Sequence, residues 1–199
     1  MRKTGYVPGR FLRKNVKCGT GAFMKTRDQA KELARMMVAI GRRMNRSVAA
    51  VLTDMNEVLG SSAGNAVEID EALRFLRNEE REPRLNEVVL VLCAEILVVG
   101  GIEGDRDAAR ERCDDAVTSG RAAEVFGRMV SALGGPVDFV DNYHDHLATA
   151  PVQKAVYADG FVTAVDARAV GNAIIELGGG RRGTRLRGCD PHSLLAASP

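Results

Sequence analysis

Apolar residues between positions 27 and 44 recur every three or four residues, the spacing that places them on one face of an α-helix. Short runs of apolar and β-branched residues precede and follow this segment, at 16–18 and 47–53, and each predicts a buried strand. Thr26 is suited to cap the helix between them. Strand, glycine turn, helix and strand make a βαβ unit, so we expect the two strands to pair in parallel.

Four helical segments follow. The first is predicted to begin at Asn65 or Glu68 and to end at Leu76, and the others have predicted bounds of 85–99, 105–119 and 121–133. The second is apolar on nearly all sides and is predicted to be the most buried element. Residues 152–158 and 160–165 predict a β-hairpin that turns at Asp159-Gly160, and Asp166 is suited to cap a last helix. The predicted fold class is α/β: a partial mixed or parallel sheet with one βαβ unit, a helical segment, and a C-terminal hairpin plus helix.

Composition indicates an ordinary globular protein, because 45% of the 199 residues are hydrophobic and 27% are charged. No apolar run reaches the roughly 18 residues that cross a bilayer, and the basic N-terminus lacks the apolar centre of a signal peptide. We therefore expect a cytoplasmic protein without a membrane partner. The four cysteines form no Cys-x-x-Cys pair and are expected to be reduced structural thiols.

The basic charge is concentrated at the two ends of the chain. Residues 1–17 hold six Lys or Arg and no acid, and residues 181–199 hold four Arg and one Asp. Residues 18–180 then hold 18 basic and 25 acidic residues. Basic ends are one mark of a nucleic-acid binder, with salt-dependent retention on DNA. Because few aromatic residues accompany these charges and no recognition helix is evident, we expect no nucleic-acid partner.

Several motifs lie in an order and at a spacing that resemble the thymidine phosphorylases, the family of pyrimidine-nucleoside phosphorylases. They are Gly19-Thr20-Gly21-Ala22-Phe23-Met24, Leu52-Thr53-Asp54-Met55-Asn56, Gly64-Asn65-Ala66-Val67-Glu68, Ala123-Glu124-Val125-Phe126-Gly127-Arg128-Met129, Lys154-Ala155-Val156-Tyr157-Ala158 and Gly178-Gly179-Gly180-Arg181-Arg182. The resemblance covers 16–182 and divides the chain into three parts. These are a basic extension at 1–15, an incomplete phosphorylase-like α/β domain at 16–182, and an unrelated tail at 183–199.

The resemblance implies a pentosyl transferase that converts thymidine and phosphate to thymine and 2-deoxyribose 1-phosphate, as a homodimer. The family's phosphate-binding stretch, of the kind His-Ser-Thr-Gly-Gly-Val-Gly-Asp, does not occur in this sequence, nor do its base-gripping arginine, serine and lysine. We therefore assign no catalytic residue and expect the chain to be inactive alone. The alternative is a non-catalytic remnant, or a subunit that works only with a separate N-terminal half.

Phosphate is the implied co-substrate, and no organic cofactor is implied. Phe23 corresponds to the wall of the pyrimidine pocket, although a core position is an alternative for this side chain. Leu59 and Ser62, through their carbonyls, and Glu71, through its carboxylate, correspond to ligands of a potassium ion, which favours such oxygens. A solvated helix carboxylate is the alternative for Glu71. The resemblance places the Gly19–Gly21 turn beside the base, and a tight turn of the βαβ crossover is the alternative for it. Asp54 is a candidate active-site residue because it follows a predicted parallel strand.

Overall fold

A computed structural model of the chain describes residues 11–177 and 194–196. The elements in this part are β1 (Phe11–Cys18), α1 (Arg27–Arg43), β2 (Ser47–Asp54), β3 (Ser62–Gly64), α2 (Asn65–Leu76), α3 (Pro83–Val99), α4 (Arg106–Thr118), α5 (Arg121–Ala132), α6 (Tyr143–His146), α7 (Ala167–Glu176) and β4 (Leu194–Ala196). Among these described helices, none combines the length and the apolar character needed to cross a membrane.

The predicted βαβ unit is confirmed. β1 and β2 pair in parallel, in a register that runs from Phe11 opposite Ser47 to Cys18 opposite Asp54. The first strand is longer than the strand predicted at 16–18: it begins at Phe11 and ends at Cys18. α1 connects the two strands and begins at a capping box, in which Thr26 accepts from the backbone of Gln29 while the Gln29 side chain accepts from the backbone of Thr26.

Two helices cover the two faces of this sheet. Val16 packs against Ala30 and Ala34 of α1 in a small buried cluster. On the opposite face of β1, Asn15 and Lys17 border a cleft together with side chains of α3. This division follows from the alternation of side chains along a strand. A parallel sheet between helices is the arrangement expected of an α/β domain.

The four predicted helices after the βαβ unit are present, but α3 is less buried than its composition predicts. Only Leu90 and Ala94 are fully buried, while most of its other side chains are half-buried. The reason is that α3 contacts β1 and β2 on one side and α4 on another, so its apolar circumference is only partly covered. The prediction that α3 would be the most buried element is therefore wrong.

The predicted hairpin is also wrong. Residues 152–165 contain no strand, and five of their apolar side chains are 80–98% exposed: Val152, Val156, Tyr157, Phe161 and Val162. An isolated two-stranded hairpin is at best marginal in water unless another layer covers its apolar face, and the described residues provide no such layer. The helix predicted after it is correct, since Asp166 accepts hydrogen bonds from the backbone of Arg168 and Ala169 at the start of α7.

Two small features were not predicted. β3 pairs with β4 in antiparallel fashion, with Ser62 opposite Ala196 and Gly64 opposite Leu194. α6 is a single turn that packs on α2, where Tyr143 is almost completely buried at 2% exposure. The Arg77 guanidinium lies over the Tyr143 ring, 5.8 Å from its centroid, and burial is the main reason that the Tyr143 pKa is raised.

Candidate active site

The glycine turn after β1 is fixed against the loop after β2. The Gly19 N–H donates to the carbonyl of Met24, which closes the turn, and the Gly21 N–H donates to the carbonyl of Met55, each at 3.0 Å. The Thr20 N–H donates to the Asn56 side chain at 3.1 Å. Both loops follow the carboxyl ends of parallel strands, the usual location of a ligand site in such sheets.

Gly19 is required at the start of this turn. Its φ is +131°, a conformation that residues with a side chain rarely adopt. A Cβ at this position would also lie 2.8 Å from the backbone nitrogen of Asn56. The close approach of the two loops therefore depends on glycine, which gives a physical reason for the first residue of the motif.

Phe23 lies at the tip of the turn and is 95% exposed. The alternative that placed this side chain in the core is therefore wrong. An exposed aromatic ring beside a strand-end loop is available for contact with a flat ligand. Phe23 does not border the cleft described below, so its contact with a pyrimidine base stays a prediction.

The residues predicted to bind a cation come together in the structure. Glu71 of α2 accepts hydrogen bonds from the Ser61 N–H at 2.7 Å and the Ser61 hydroxyl at 3.0 Å, and from the Ser62 N–H at 3.1 Å. A Cβ on Gly60 would lie 2.4 Å from the Glu71 carboxylate, so a side chain at this position would displace that carboxylate from the loop. Glu71 is half-buried, which excludes the alternative of a freely solvated helix carboxylate.

The Glu71 carboxylate and the carbonyls of this loop are the kind of oxygen ligand that a monovalent cation binds. Ser61 supplies two donors to Oε1 of Glu71, whereas Oε2 receives one, from Ser62, and keeps a lone-pair direction for another partner. Carboxylate and carbonyl oxygens are the ligands that such hard cations take. In the described part of the chain, no three His, Cys, Asp or Glu side chains cluster as a transition-metal site would require.

A cleft of about 360 Å³ lies between this loop, the two strands, α3 and α7, and Leu59, Ser62 and Glu71 all border it. Four carboxylates border it as well: Asp54, Glu57, Glu68 and Glu71. Lys17 is the one cationic side chain among the bordering residues, and no ion pair to it occurs within the described residues. The cleft is therefore predominantly acidic.

Two arginines that hold the site together were missed in the sequence. Arg84 of α3 donates to Glu57 at 2.8 Å, to Asp54 at 3.1 Å and to the Val58 carbonyl at 3.3 Å. Arg168 of α7 donates to the Ala22 carbonyl of the glycine turn at 3.2 Å. No local signal marks either residue, because their partners lie 26 to 30 and 146 positions away.

A comparison with known families supplies the assignment. The model of a glycosyl transferase family, for its α/β domain, matches residues 11–123. The chain belongs to this glycosyl transferase family. The match contains β1, the glycine turn, β2, the loop at 59–64 and α2, and so most of the elements around the cleft of this glycosyl transferase domain.

Proposed function

We propose that this chain is the α/β part of a pentosyl transferase that acts on pyrimidine nucleosides, with thymidine and phosphate as substrates. In this reaction the bond between C1′ of deoxyribose and N1 of thymine breaks, a C1′–O bond to phosphate forms, and the departing thymine takes up a proton. The observation that carries the proposal is the glycine turn of a glycosyl transferase α/β domain, placed beside a cleft at the carboxyl ends of parallel strands.

We propose Phe23 as the residue that contacts the pyrimidine base. Its 95% exposure leaves the ring uncovered, and stacking or edge contact with a flat base would shield it from water. The turn that carries Phe23 is held at two points, by Arg168 from one side and by Met55 from the other. This support keeps the ring on a preorganised loop, so little conformational entropy is lost when a base binds.

We propose that a potassium ion binds at the carbonyls of Leu59 and Ser62 and at Oε2 of Glu71. Its role in this chain would be to hold the 59–64 loop in place. This loop borders the cleft and leads into α2. A thermal unfolding comparison in potassium and lithium chloride tests this binding without an activity assay. The wild-type chain should unfold at a higher temperature in potassium, and Glu71→Gln should remove the difference between the two salts.

The acidic lining supports the proposal that this chain is inactive alone. Phosphate carries about two negative charges, and the four carboxylates around the cleft outnumber the two cations beside them, Lys17 and the Arg84 that pairs with Asp54 and Glu57, so phosphate would be repelled. Phosphate sites usually offer several backbone N–H groups or cationic side chains. We therefore propose that the phosphate-binding and base-polarising groups come from another polypeptide segment, in a cytoplasmic assembly that contains two copies of this domain and needs no organic cofactor.

The test is a thymine-release assay on the purified chain, with and without phosphate, and again after addition of the N-terminal half of a thymidine phosphorylase. The chain alone should release no thymine above a mock purification, and the mixture should release thymine only with phosphate. Phosphate-dependent release by the chain alone would contradict the inactivity. A mixture that forms a stable complex by gel filtration, yet cleaves neither thymidine nor uridine, would contradict the proposed reaction.

A further inference from the structure

A second hollow lies at the amino ends of β1 and β2, at the opposite end of the strands from the cleft. Its volume is about 530 Å³, and it is bordered by Arg42, Asn45, Arg46, Ser47, Val48 and Val99. Ser47 is the first residue of β2, and Arg42 lies in the last turn of α1. The proposed pentosyl transfer uses none of these residues.

Backbone hydrogen bonds fix the turn at the end of α1 that carries the two arginines of this hollow. The Arg46 N–H donates to the Gly41 carbonyl and the Asn45 N–H donates to the Arg42 carbonyl, each at 3.0 Å. Asn45 has a φ of +53°, so this pair of bonds is a Schellman motif with asparagine in the left-handed position. The motif reverses the chain, so that Arg42 and Arg46 both border the hollow.

The hollow has an excess of positive charge. Within residues 11–177 and 194–196, no carboxylate forms an ion pair with Arg42, Arg46 or the neighbouring Arg43. The carboxyl ends of α1 and α3 both point toward this end of the sheet, and each contributes roughly half a negative charge. Two helix ends therefore offset about one of the two guanidinium charges that border the hollow, and the positive charge that remains favours a bound anion.

We propose that this hollow binds a small molecule that carries a diphosphate or triphosphate group. A guanidinium group donates two parallel hydrogen bonds to phosphate oxygens, and two such groups at one hollow can contact more oxygens of a phosphate chain than of a single phosphate. The amide of Asn45 and the hydroxyl of Ser47 add donors at the same rim. Arg42, Asn45 and Ser47 are exposed, so a phosphate chain can reach these groups directly from solvent. This inference is independent of the proposed reaction.

The first experiment locates the ligand on the wild-type chain. Inorganic pyrophosphate is titrated while the backbone amide resonances are followed by NMR at constant ionic strength. The amides of Asn45, Arg46 and Ser47 should shift and saturate, and those of Lys17 and Gly19–Gly21 at the cleft should not. Sulfate at matched ionic strength should produce smaller shifts. Shifts confined to the cleft would overturn the inference.

The second experiment uses matched variants. Arg42→Gln with Arg46→Gln should weaken pyrophosphate binding at least tenfold in equilibrium dialysis, with an unchanged circular dichroism spectrum. Two controls retain wild-type binding: Arg35→Gln, on the same helix but outside the hollow, and Lys17→Gln, in the cleft. An equal loss in the Arg35→Gln variant would overturn the inference, because it would show attraction to net charge alone.

Two further ligands test the chemical class. ADP should bind at least as tightly as pyrophosphate, since it carries the same diphosphate group. A single-stranded 12-nucleotide DNA should bind less tightly than ADP at the amides of Asn45–Ser47. Tighter binding of the DNA at those amides would overturn the assignment to a small molecule.

Discussion

The carboxylate of Glu71 lies beneath the backbone of Ser61, whose N–H donates to it at 2.7 Å, although ten residues separate the two in the sequence. The Ser61 hydroxyl and the Ser62 N–H donate to the same carboxylate, so three donors of one loop converge on one side chain of α2. The candidate cation site and the stability of the loop therefore depend on the same group.

Glu71→Ala should destabilise the chain by about 1–3 kcal/mol, because it leaves the N–H groups of Ser61 and Ser62 without a charged acceptor in a partly buried place. Urea unfolding followed by circular dichroism measures the change. Glu57→Ala is the matched control: its side chain is 61% exposed, and the ion pair that it loses, to Arg84, is worth at most about 1 kcal/mol. Equal losses in the two variants would contradict the prediction.

Gly60→Ala should also destabilise the chain, by about 1–3 kcal/mol, because the new Cβ would lie 2.4 Å from the Glu71 carboxylate and displace it from the loop. Gly171→Ala provides the contrast. Gly171 lies within α7, and among the described residues no atom beyond its chain neighbours and its own helix backbone lies within 4 Å of its Cβ position, so alanine should stabilise the helix by roughly 0.5–1 kcal/mol. Thermal unfolding of both variants should therefore give shifts of opposite sign.

Arg84→Lys should destabilise the chain by about 1–2 kcal/mol. Arg84 joins Asp54, Glu57 and the Val58 carbonyl at once, and a lysine ammonium cannot reproduce this planar set of donors. Each ion pair is partly exposed, so solvent screening keeps each contribution below about 1 kcal/mol. Arg35→Lys, at an exposed position of α1, should change the free energy of unfolding by less than about 0.5 kcal/mol. A loss no larger than that of Arg35→Lys would show that Arg84 does not hold the loop.

The pKa of Asp138 is lowered from its ordinary value near 3.8, chiefly by the hydrogen bond from the Asn142 side chain and to a smaller extent by His146. A carboxyl whose pKa is lower in the folded state stabilises that state above its unfolded pKa, and this contribution disappears as the pH falls through the folded pKa. Asn142→Ala should raise the Asp138 pKa in an NMR titration, and Asn65→Ala should not. An unchanged Asp138 pKa in Asn142→Ala would show that the hydrogen bond is not the cause.

Much of the fold could be predicted because its determinants are local in sequence. Thr26 and Asp166 cap helices through backbone groups two or three residues away, and the apolar spacing of α1 is visible in a single window. The hairpin prediction was wrong because a strand also depends on contacts that are distant in sequence. Its β-branched and aromatic residues have strand propensity, but propensity forms a strand only where a further layer covers the side chains, and Phe161 remains 98% exposed.

The candidate site also contains residues that could be predicted from the sequence and residues that could not. Glu71 could be placed near Leu59 and Ser62 from the family resemblance, and the structure brings the three together. Arg84 and Arg168 could not be found, because an arginine on a helix surface carries no mark of the distant carbonyl or carboxylate that it contacts. The importance of Lys17 could not be judged from the sequence either, since only the folded structure shows that Lys17 and four carboxylates border the same cleft.

Phe23→Ala should separate a binding role from a structural one. Replacement of a buried phenylalanine costs about 3–5 kcal/mol of stability, whereas Phe23 is 95% exposed, so the free energy of unfolding should change by less than about 0.5 kcal/mol. If the ring contacts the base, thymidine binding by an enzyme reconstituted with a separate N-terminal half should weaken by roughly 1–3 kcal/mol. Equilibrium dialysis with labelled thymidine measures the second quantity, and Val156→Ala, also exposed, serves as the control. Wild-type affinity in the Phe23→Ala enzyme would exclude this ring from the pyrimidine pocket.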